Sequence, residues 1–474
     1  MPVDTPSLAT AGWTPFRRAT VAGIVLLITL NAFEAIAVST AMPTVAAKLN
    51  GLAGYPVAFA IPMAASVVAM VCAGSWADAR GPRVVLLTGI TLFVAGLLVA
   101  GSSPTMQLLI LGRTVQSLGT GLAMVAVYVM IAAVFPESLR PKVFVWTSAA
   151  WVGPSLFGPP LAGFLVTQTS WRWVFFIAAL FSIPAFALLI PVLRRLPALG
   201  RDRSAATVGS GRRIVAAVGA AVGACLLSLS AHRSPALGAG LVVVGVALLI
   251  VAAPRLVPPG TYRARRGIAS VIVSRGLLGA AFSGTDVYLP LMLTGQHGMS
   301  PGEAGLALTA GAISWSAAAW VGGRITTDAS RRRTIRIGFA ALAVGIVVCL
   351  LAAAPATPAV LVYVGWLIGG AGIGLAYSPL TVLTMGLSAA AEQGRNSSAL
   401  QTNETLMSSV VLAVSAVLFG YLVPVSHTLA FSVGIALALV CALLGSLTAR
   451  RLRPDDAAGA DTNTGRRPGA MAAH

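Results

Sequence analysis

The sequence is poor in charge, and poorest in acid. Only 13 Asp and Glu and 32 Lys and Arg occur in 474 residues, 9% of the chain, where a soluble globular domain carries about 25%. Apolar residues reach 57% before the 50 glycines are added, which excludes a soluble fold. The 4 cysteines, Cys72, Cys225, Cys349 and Cys441, each lie inside a long apolar run. That placement excludes a disulfide framework and fits small hydrophobes in helix packing. The histidines, His232, His297, His427 and His474, are scattered through turns and the tail, so no metal cluster is expected. No nucleophile stands beside a base within the apolar runs, so neither an enzyme nor a cofactor is expected. The formal net charge of +19 would suit nucleic acid in a soluble protein; in so apolar a chain it must first be tested as a membrane topology signal.

What the chain does have is a series of apolar stretches long enough to cross the hydrocarbon, which takes about 20 residues. The first six run 19 to 43, 54 to 77, 83 to 102, 105 to 134, 143 to 167 and 171 to 194. Two shorter ones follow a polar interval, at 214 to 231 and 236 to 253. A second six run 268 to 293, 302 to 325, 335 to 354, 358 to 386, 397 to 423 and 427 to 449, giving 14. Residues 214 to 253 are read as two crossings in preference to one re-entrant hairpin, because each segment reaches about 27 Å at 1.5 Å per residue. Placing the N terminus in the cytoplasm puts 27 of the 32 Lys and Arg residues on that side. Lys48, Arg172 and Arg233 fall outside, and Arg113 and Arg275 lie within spans. This alternation is the positive-inside pattern, with both termini cytoplasmic. The organisation expected is a cytoplasmic segment 1–18, a six-helix bundle 19–194, a linker with two additional spans 195–267, a second six-helix bundle 268–449 and a disordered tail 450–474. The first span is long and followed by 13 others, so it is read as a retained anchor, not a cleaved signal.

Between the second and third spans stand Gly74, Asp78, Gly81 and Arg83 in a GxxxDxxGxR pattern at a short turn. Glycine permits close approach there, and an acid at a helix end beside arginines can lock or release neighbouring helices. This pattern resembles the loop motif of the major facilitator superfamily. A decayed copy at Gly323 to Arg333, with Asp328 as its acid, occupies the same place in the second set of six. Gly112-Arg113-Thr114-Val115-Gln116-Ser117-Leu118-Gly119 looks like that superfamily's intramembrane arginine motif. Gly153-Pro154 and Gly158-Pro159-Pro160-Leu161-Ala162-Gly163 resemble the GPxxGG antiporter motif. Glu34 lies nine residues before Pro43, as the acid does in the first span of the 14-span drug:proton antiporters, although glutamate replaces aspartate. Trp171-Arg172-Trp173-Val174-Phe175 matches their WRWxF opening of the sixth span. The resemblance implies an all-α membrane protein of the major facilitator fold, two six-helix bundles with two extra linker helices, with substrate bound near the midplane.

An ionisable group inside a span costs at least about 2.5 kcal/mol at the bilayer centre and is by default a functional candidate. Four stand out: Glu34, Arg113, Asp286 and Glu404. Glu34 sits near the middle of the first span with Asn31 one turn away, and Arg113 reaches a comparable depth, so the two can pair directly or through water. A carboxyl poised between burial, which disfavours its charge, and an arginine, which favours it, suits a proton-coupling site. Glu404 departs from the resembled family, which often carries an Arg-Gln pair near that position. Asn31, Phe33, Met124, Tyr128, Trp151, Trp315, Tyr377 and Gln401 are candidates for the cavity wall, with lipid or helix packing as the plain alternative. Asp78 is read as a conformational residue and not a binder. The expectation is a monomeric, proton-coupled efflux transporter of a lipophilic or cationic small molecule, driven by the proton gradient. A proton-coupled importer, and a non-pumping lipid-handling or sensor protein, are the alternatives. Arginine outnumbers lysine 30 to 2, which with abundant alanine suggests high-GC bacterial coding and a bacterial plasma membrane.

Overall fold

The computed structural model describes residues 13–195, 210–230 and 234–452, apart from Glu137, Thr326, Ala390 and Ala391. Of the disordered tail expected at 450–474, residues 450–452 are ordered, Arg450 and Arg451 closing a 3-10 turn with Ala449; residues 453–474, and Arg233 of the topology count, lie outside the described residues. Helices and turns make up everything described. In order they are α1 (Pro15–Lys48), α2 (Val57–Arg80), α3 (Pro82–Ser102), α4 (Met106–Val134), α5 (Arg140–Ala149), α6 (Val152–Gln168), α7 (Arg172–Arg195), α8 (Ser210–Ser230), α9 (Pro235–Ala252), α10 (Ile268–Asp286), α11 (Tyr288–Gly295), α12 (Pro301–Gly323), α13 (Asp328–Leu351), α14 (Val360–Gly386), α15 (Gln393–Leu422) and α16 (His427–Thr448). Fourteen segments are long and apolar enough to cross a membrane. The two shorter segments expected at 214 to 231 and 236 to 253 are the helices α8 and α9, of 21 and 18 residues.

Local chemistry explains the boundaries. The hydroxyls of Thr14, Thr105, Ser300, Thr327 and Ser426 each cap a helix N-terminus, and Ser300 forms a reciprocal box with Glu303. The Thr327 cap starts α13 seven residues ahead of the expected 335, so Asp328 and Arg331 to Arg333 are helical and not loop. Two expected spans are each broken in two. Pro154 has no N–H for the Ala150 carbonyl, and α5 and α6 part there. Pro290 likewise leaves the Asp286 carbonyl without its helical donor, and α10 and α11 part at Val287.

Within each set of six, a helix pair with matched glycine spacing packs backbone to backbone. Gly89 and Gly96 of α3 lie against Gly112 and Gly119 of α4, and a methyl group on Gly96 would strike the backbone of Gln116. Gly338 and Gly345 of α13 meet Gly365 and Gly372 of α14 in the same way. Without a hydrophobic force between helices in lipid, such close contact supplies the association. The identical seven-residue spacing in both pairs shows the internal repeat more plainly than the decayed loop motif does.

The two sets meet through α1 and α6 against α11 and α12, and through α2 against α15. The residue contacts between them cluster toward the arginine-poor end. Tyr55 donates its hydroxyl to the Val287 carbonyl at 2.9 Å, and Ser409 donates to the Ala60 carbonyl at 2.9 Å. A Cβ on Gly305 would lie 2.8 Å from both Pro159 and Thr40. The α8–α9 hairpin lies outside both sets, with α8 packed along the seam where α2 meets α15. Val67, Ala216, Ala217, Ala220 and Leu406 form its buried contact.

Candidate functional site

Arg17, near the start of α1, is buried, and two charged groups are buried deeper in the first set of helices. Glu34 of α1 is 4% exposed and Arg113 of α4 is 8% exposed. Arg113 is the carboxylate's Coulombic neighbour, and the Gln116 side chain stands beside it as a hydrogen-bond partner. The two do not form the direct pair that depth counting allows, because among the described residues Glu34 Oε1 and Arg113 Nε and Nη1 have no hydrogen-bond partner. The guanidinium lies instead 5.2 Å from the Phe59 ring. Tyr55 lies within electrostatic reach of both Arg113 and Asp286 of the second set.

The second set holds a direct ion pair. Arg275 Nε donates to Glu404 Oε2 at 2.8 Å, and the two side chains are 5% and 18% exposed. Arg275 Nη1 donates to the Tyr377 carbonyl at 2.9 Å and to Thr381 Oγ1 at 3.0 Å. Its guanidinium also stacks 3.0 Å from the Tyr377 ring centroid. Arg275 is visible in the sequence as a charge within a span, but only the fold gives it a partner 129 residues away. Within the expected spans the charges are therefore three acids against two arginines, not three against one.

An aromatic wall joins this pair to Asp286. Trp366 Nε1 donates to Asp286 Oδ1 at 3.1 Å. Phe282 stacks on Trp366 at 4.7 Å and meets the edge of Trp315 at 5.1 Å, and Trp315 meets Tyr377 at 5.4 Å. Of the expected cavity residues the structure thus brings Trp315 and Tyr377 together, and packs them with Phe282 and the fully buried Trp366. Across the seam the Tyr128 hydroxyl of α4 has the Gln401 side chain as partner, close to Arg275 and Glu404. The others lie elsewhere. Asn31 accepts a hydrogen bond from Thr120 at 3.2 Å inside the first set, with Met124 beside it. Phe33 is half-buried near Gly158, and Trp151 is exposed at the break before α6.

The glycine motifs divide by role. Gly163 faces Gly302 of α12 so closely that a methyl group would overlap the Gly302 backbone, and Gly158 lies against Ile36 and Phe33. Pro159 packs against Gly305, so the GP-rich segment forms part of the contact between the two sets. Pro154 sets the helix break, while Gly153 has open space around it. Gly81 adopts φ 79°, which glycine accommodates at no steric cost. A methyl group on Gly74 would meet nothing within 4 Å, which corrects the expectation that this glycine serves close approach. Arg83 is exposed, and the Asp78 side chain lies outside what is described. Asp328 pairs with Arg331 of its own helix at 2.7 Å, so it makes a local link.

Comparison with known proteins agrees with this architecture. The family model of the Major Facilitator Superfamily matches residues 24–412 and 271–470. Multidrug resistance protein 3 of Bacillus subtilis is 26% identical over 77% of this chain and 72% of its own. A probable multidrug-efflux transporter of Mycobacterium tuberculosis is 28% identical over 77% of this chain and 79% of its own. An uncharacterised MFS-type transporter of Schizosaccharomyces pombe is 34% identical, but over 37% of this chain and only 30% of its own length. A crystal structure of a POT family transporter in complex with 5-aminolevulinic acid superposes with a TM-score of 0.67 at 15% identity, covering 91% of this chain and 96% of that one. At that identity the likeness concerns the fold alone. With the repeat, the seam and the buried charges in place, the length of the family match shows that this chain belongs to the major facilitator superfamily.

Proposed function

We propose that this protein exports a lipophilic, cationic small molecule in exchange for protons, by rocking of the two helix sets represented by residues 19–194 and 268–449. The arginine-rich end faces the cytoplasm of a bacterial plasma membrane, and the protein works as a monomer. The observation that carries the reading is Glu34. One of its oxygens is buried without a hydrogen-bond donor among the described residues, although Arg113 and Gln116 stand close by. An ionised oxygen left so in an apolar bundle is costly, and a proton removes the cost. Glu34 is thus suited to hold a proton in one state and release it when Arg113 swings nearer.

The second set suits the cargo. Asp286 supplies negative charge at the Trp366 end of the Trp366, Phe282, Trp315 and Tyr377 wall, while Glu404 at the other end is balanced by Arg275 until that pair opens. Aromatic faces beside carboxylates attract organic cations. The names carried by the relatives from Bacillus and Mycobacterium support export of drugs. The contacts at the arginine-poor end fit a state closed to the outside, in which cargo enters from the cytoplasm or inner leaflet.

The test is transport in proteoliposomes with an imposed proton gradient and a fluorescent lipophilic cation. Wild-type protein should accumulate the cation uphill and move protons in the opposite direction. Glu34→Gln should still bind the cation but lose uphill export. Native-rate, proton-dependent export by Glu34→Gln would sink the role given to Glu34. Cation binding without any cation-stimulated proton flux in the wild type would instead favour a non-pumping protein.

A further inference from the structure

The arginine-rich end holds a cleft that the transport cycle does not use. It has a volume of about 400 Å3 and is lined by Arg263, Ala264, Arg265, Arg266, Arg450 and Arg451. Five of its six lining residues are arginine, which concentrates like charge around one space. Positive-inside topology requires arginines at this end, but it does not require them to converge.

The cleft is held in shape by the backbone. The turn between α9 and α10 carries Ala264 at φ 47° between Gly260 at φ 82° and Gly267 at φ 84°. A non-glycine residue in this left-handed region is uncommon and signals a conformation fixed by its surroundings. Arg451 Nη1 donates to the Arg263 carbonyl at 3.3 Å, and Ser270 donates to the Arg451 carbonyl at 3.0 Å. These bonds tie the turn, the start of α10 and the end of α16 into one frame. Arg263, Arg265 and Arg450 project from it exposed, and they form no ion pair with a carboxylate of the described residues.

We propose that this cleft binds a phosphate group, presented by an anionic lipid headgroup or by a soluble phosphate. Guanidinium groups match phosphate oxygens in bidentate geometry, and a cluster of them relieves its own repulsion when an anion enters. The cleft lies where α9 and α16 end, the level at which a spanning helix meets headgroups, so a lipid can reach it laterally. Its occupation bears on the transport site through one residue. Tyr262, adjacent to Arg263 on the turn, donates to Asn403 Oδ1 at 2.9 Å, and Asn403 in turn donates to the Ile272 carbonyl at 2.9 Å. Asn403 precedes Glu404, so an anion that steadies the turn also steadies α15 at the Arg275–Glu404 pair.

The experiment uses the full chain in neutral detergent, titrated with short-chain phosphatidylglycerol, short-chain phosphatidylcholine and inorganic phosphate, with bound ligand read by native mass spectrometry. Arg263→Gln, Arg265→Gln and Arg450→Gln are combined in one variant. Arg332→Gln, Arg333→Gln and Arg336→Gln, at the same end but outside the cleft, form a charge-matched control. Phosphatidylglycerol should bind the wild type and the control alike, and the cleft variant should bind roughly a hundredfold more weakly. Equal binding of inorganic phosphate, lost in the same variant, would support the site with a soluble ligand as its source. Arg→Lys at the same three positions keeps charge and fold, and should weaken binding through loss of the fork geometry. Equal weakening in the cleft variant and the control, or no binding of any phosphate to the wild type, would overturn the proposal.

Discussion

Removing one partner of the Arg275–Glu404 pair should destabilise the protein more than removing both. The pair is short, at 2.8 Å, and its side chains are 5% and 18% exposed, so neither charge can be rehydrated without moving a helix. Breaking a buried pair from one side costs about 3 to 5 kcal/mol. The partial exposure of Glu404 places Arg275→Met near the lower end, about 3 kcal/mol. Glu404→Leu leaves the guanidinium its bonds to the Tyr377 carbonyl and Thr381, and its stacking on Tyr377, so about 2 kcal/mol is expected. The double variant buries no uncompensated charge and should lose only about 1 kcal/mol. The coupling energy is then about 4 kcal/mol, large for a pairwise contact. Four proteins, heated in detergent and scored by the fraction surviving as a monodisperse peak, should rank wild type, double variant, Glu404→Leu and Arg275→Met from most to least stable. A double variant less stable than either single one, with losses that simply add, would refute the claim that the two charges hold each other.

Two further predictions concern the contact between the helix sets. Gly163→Val would push against the Gly302 backbone, an overpacking of about 1 to 3 kcal/mol that acts only while the arginine-poor end is closed; spin-label distances between α6 and α12 at that end should therefore lengthen, and an unchanged distribution would refute the role given to Gly163. Tyr55→Phe removes the bond to the Val287 carbonyl at a cost of about 1 kcal/mol, which should raise the reactivity of a cysteine placed at the α10–α11 break toward a reagent added from the arginine-poor side.

Much of the fold is legible in the sequence because its signals are one-dimensional. A run of apolar residues needs no partner to be recognised, and the alternation of arginines along the chain fixes which ends of the runs share a side. The helix breaks at Pro154 and Pro290 are legible too, though a proline within an apolar run also fits a kinked but continuous span. Thr327 is a plain capping residue, yet the apolar run behind it starts eight residues later, and run length misplaces the start of α13. Depth along a helix is legible because each residue adds about 1.5 Å, and counting from the ends is enough to place Glu34 and Arg113 near one another.

Rotation about the helix axis is a different matter. A surface helix of a soluble protein shows its inward face by polarity, but a helix in lipid is apolar on every side, so in α14 glycine spacing marks packed faces while polarity does not mark the face bearing Trp366. Trp366 therefore gives no sign in the sequence that it donates to Asp286, and Trp315 and Tyr377 give none that they meet. Charged residues are the exception, because the cost of exposing them to lipid forces them inward whatever their neighbours. Applied evenly, that rule selects Arg275 as well as Arg113, and it requires a carboxylate for each at matching depth. Glu404 and Arg275, each about seven residues from the corresponding end of its expected span, meet that condition by counting alone. The ion pair at the centre of the second set stays hidden only while Arg275 is taken as an exception in the topology count, and not as a charge in need of a partner.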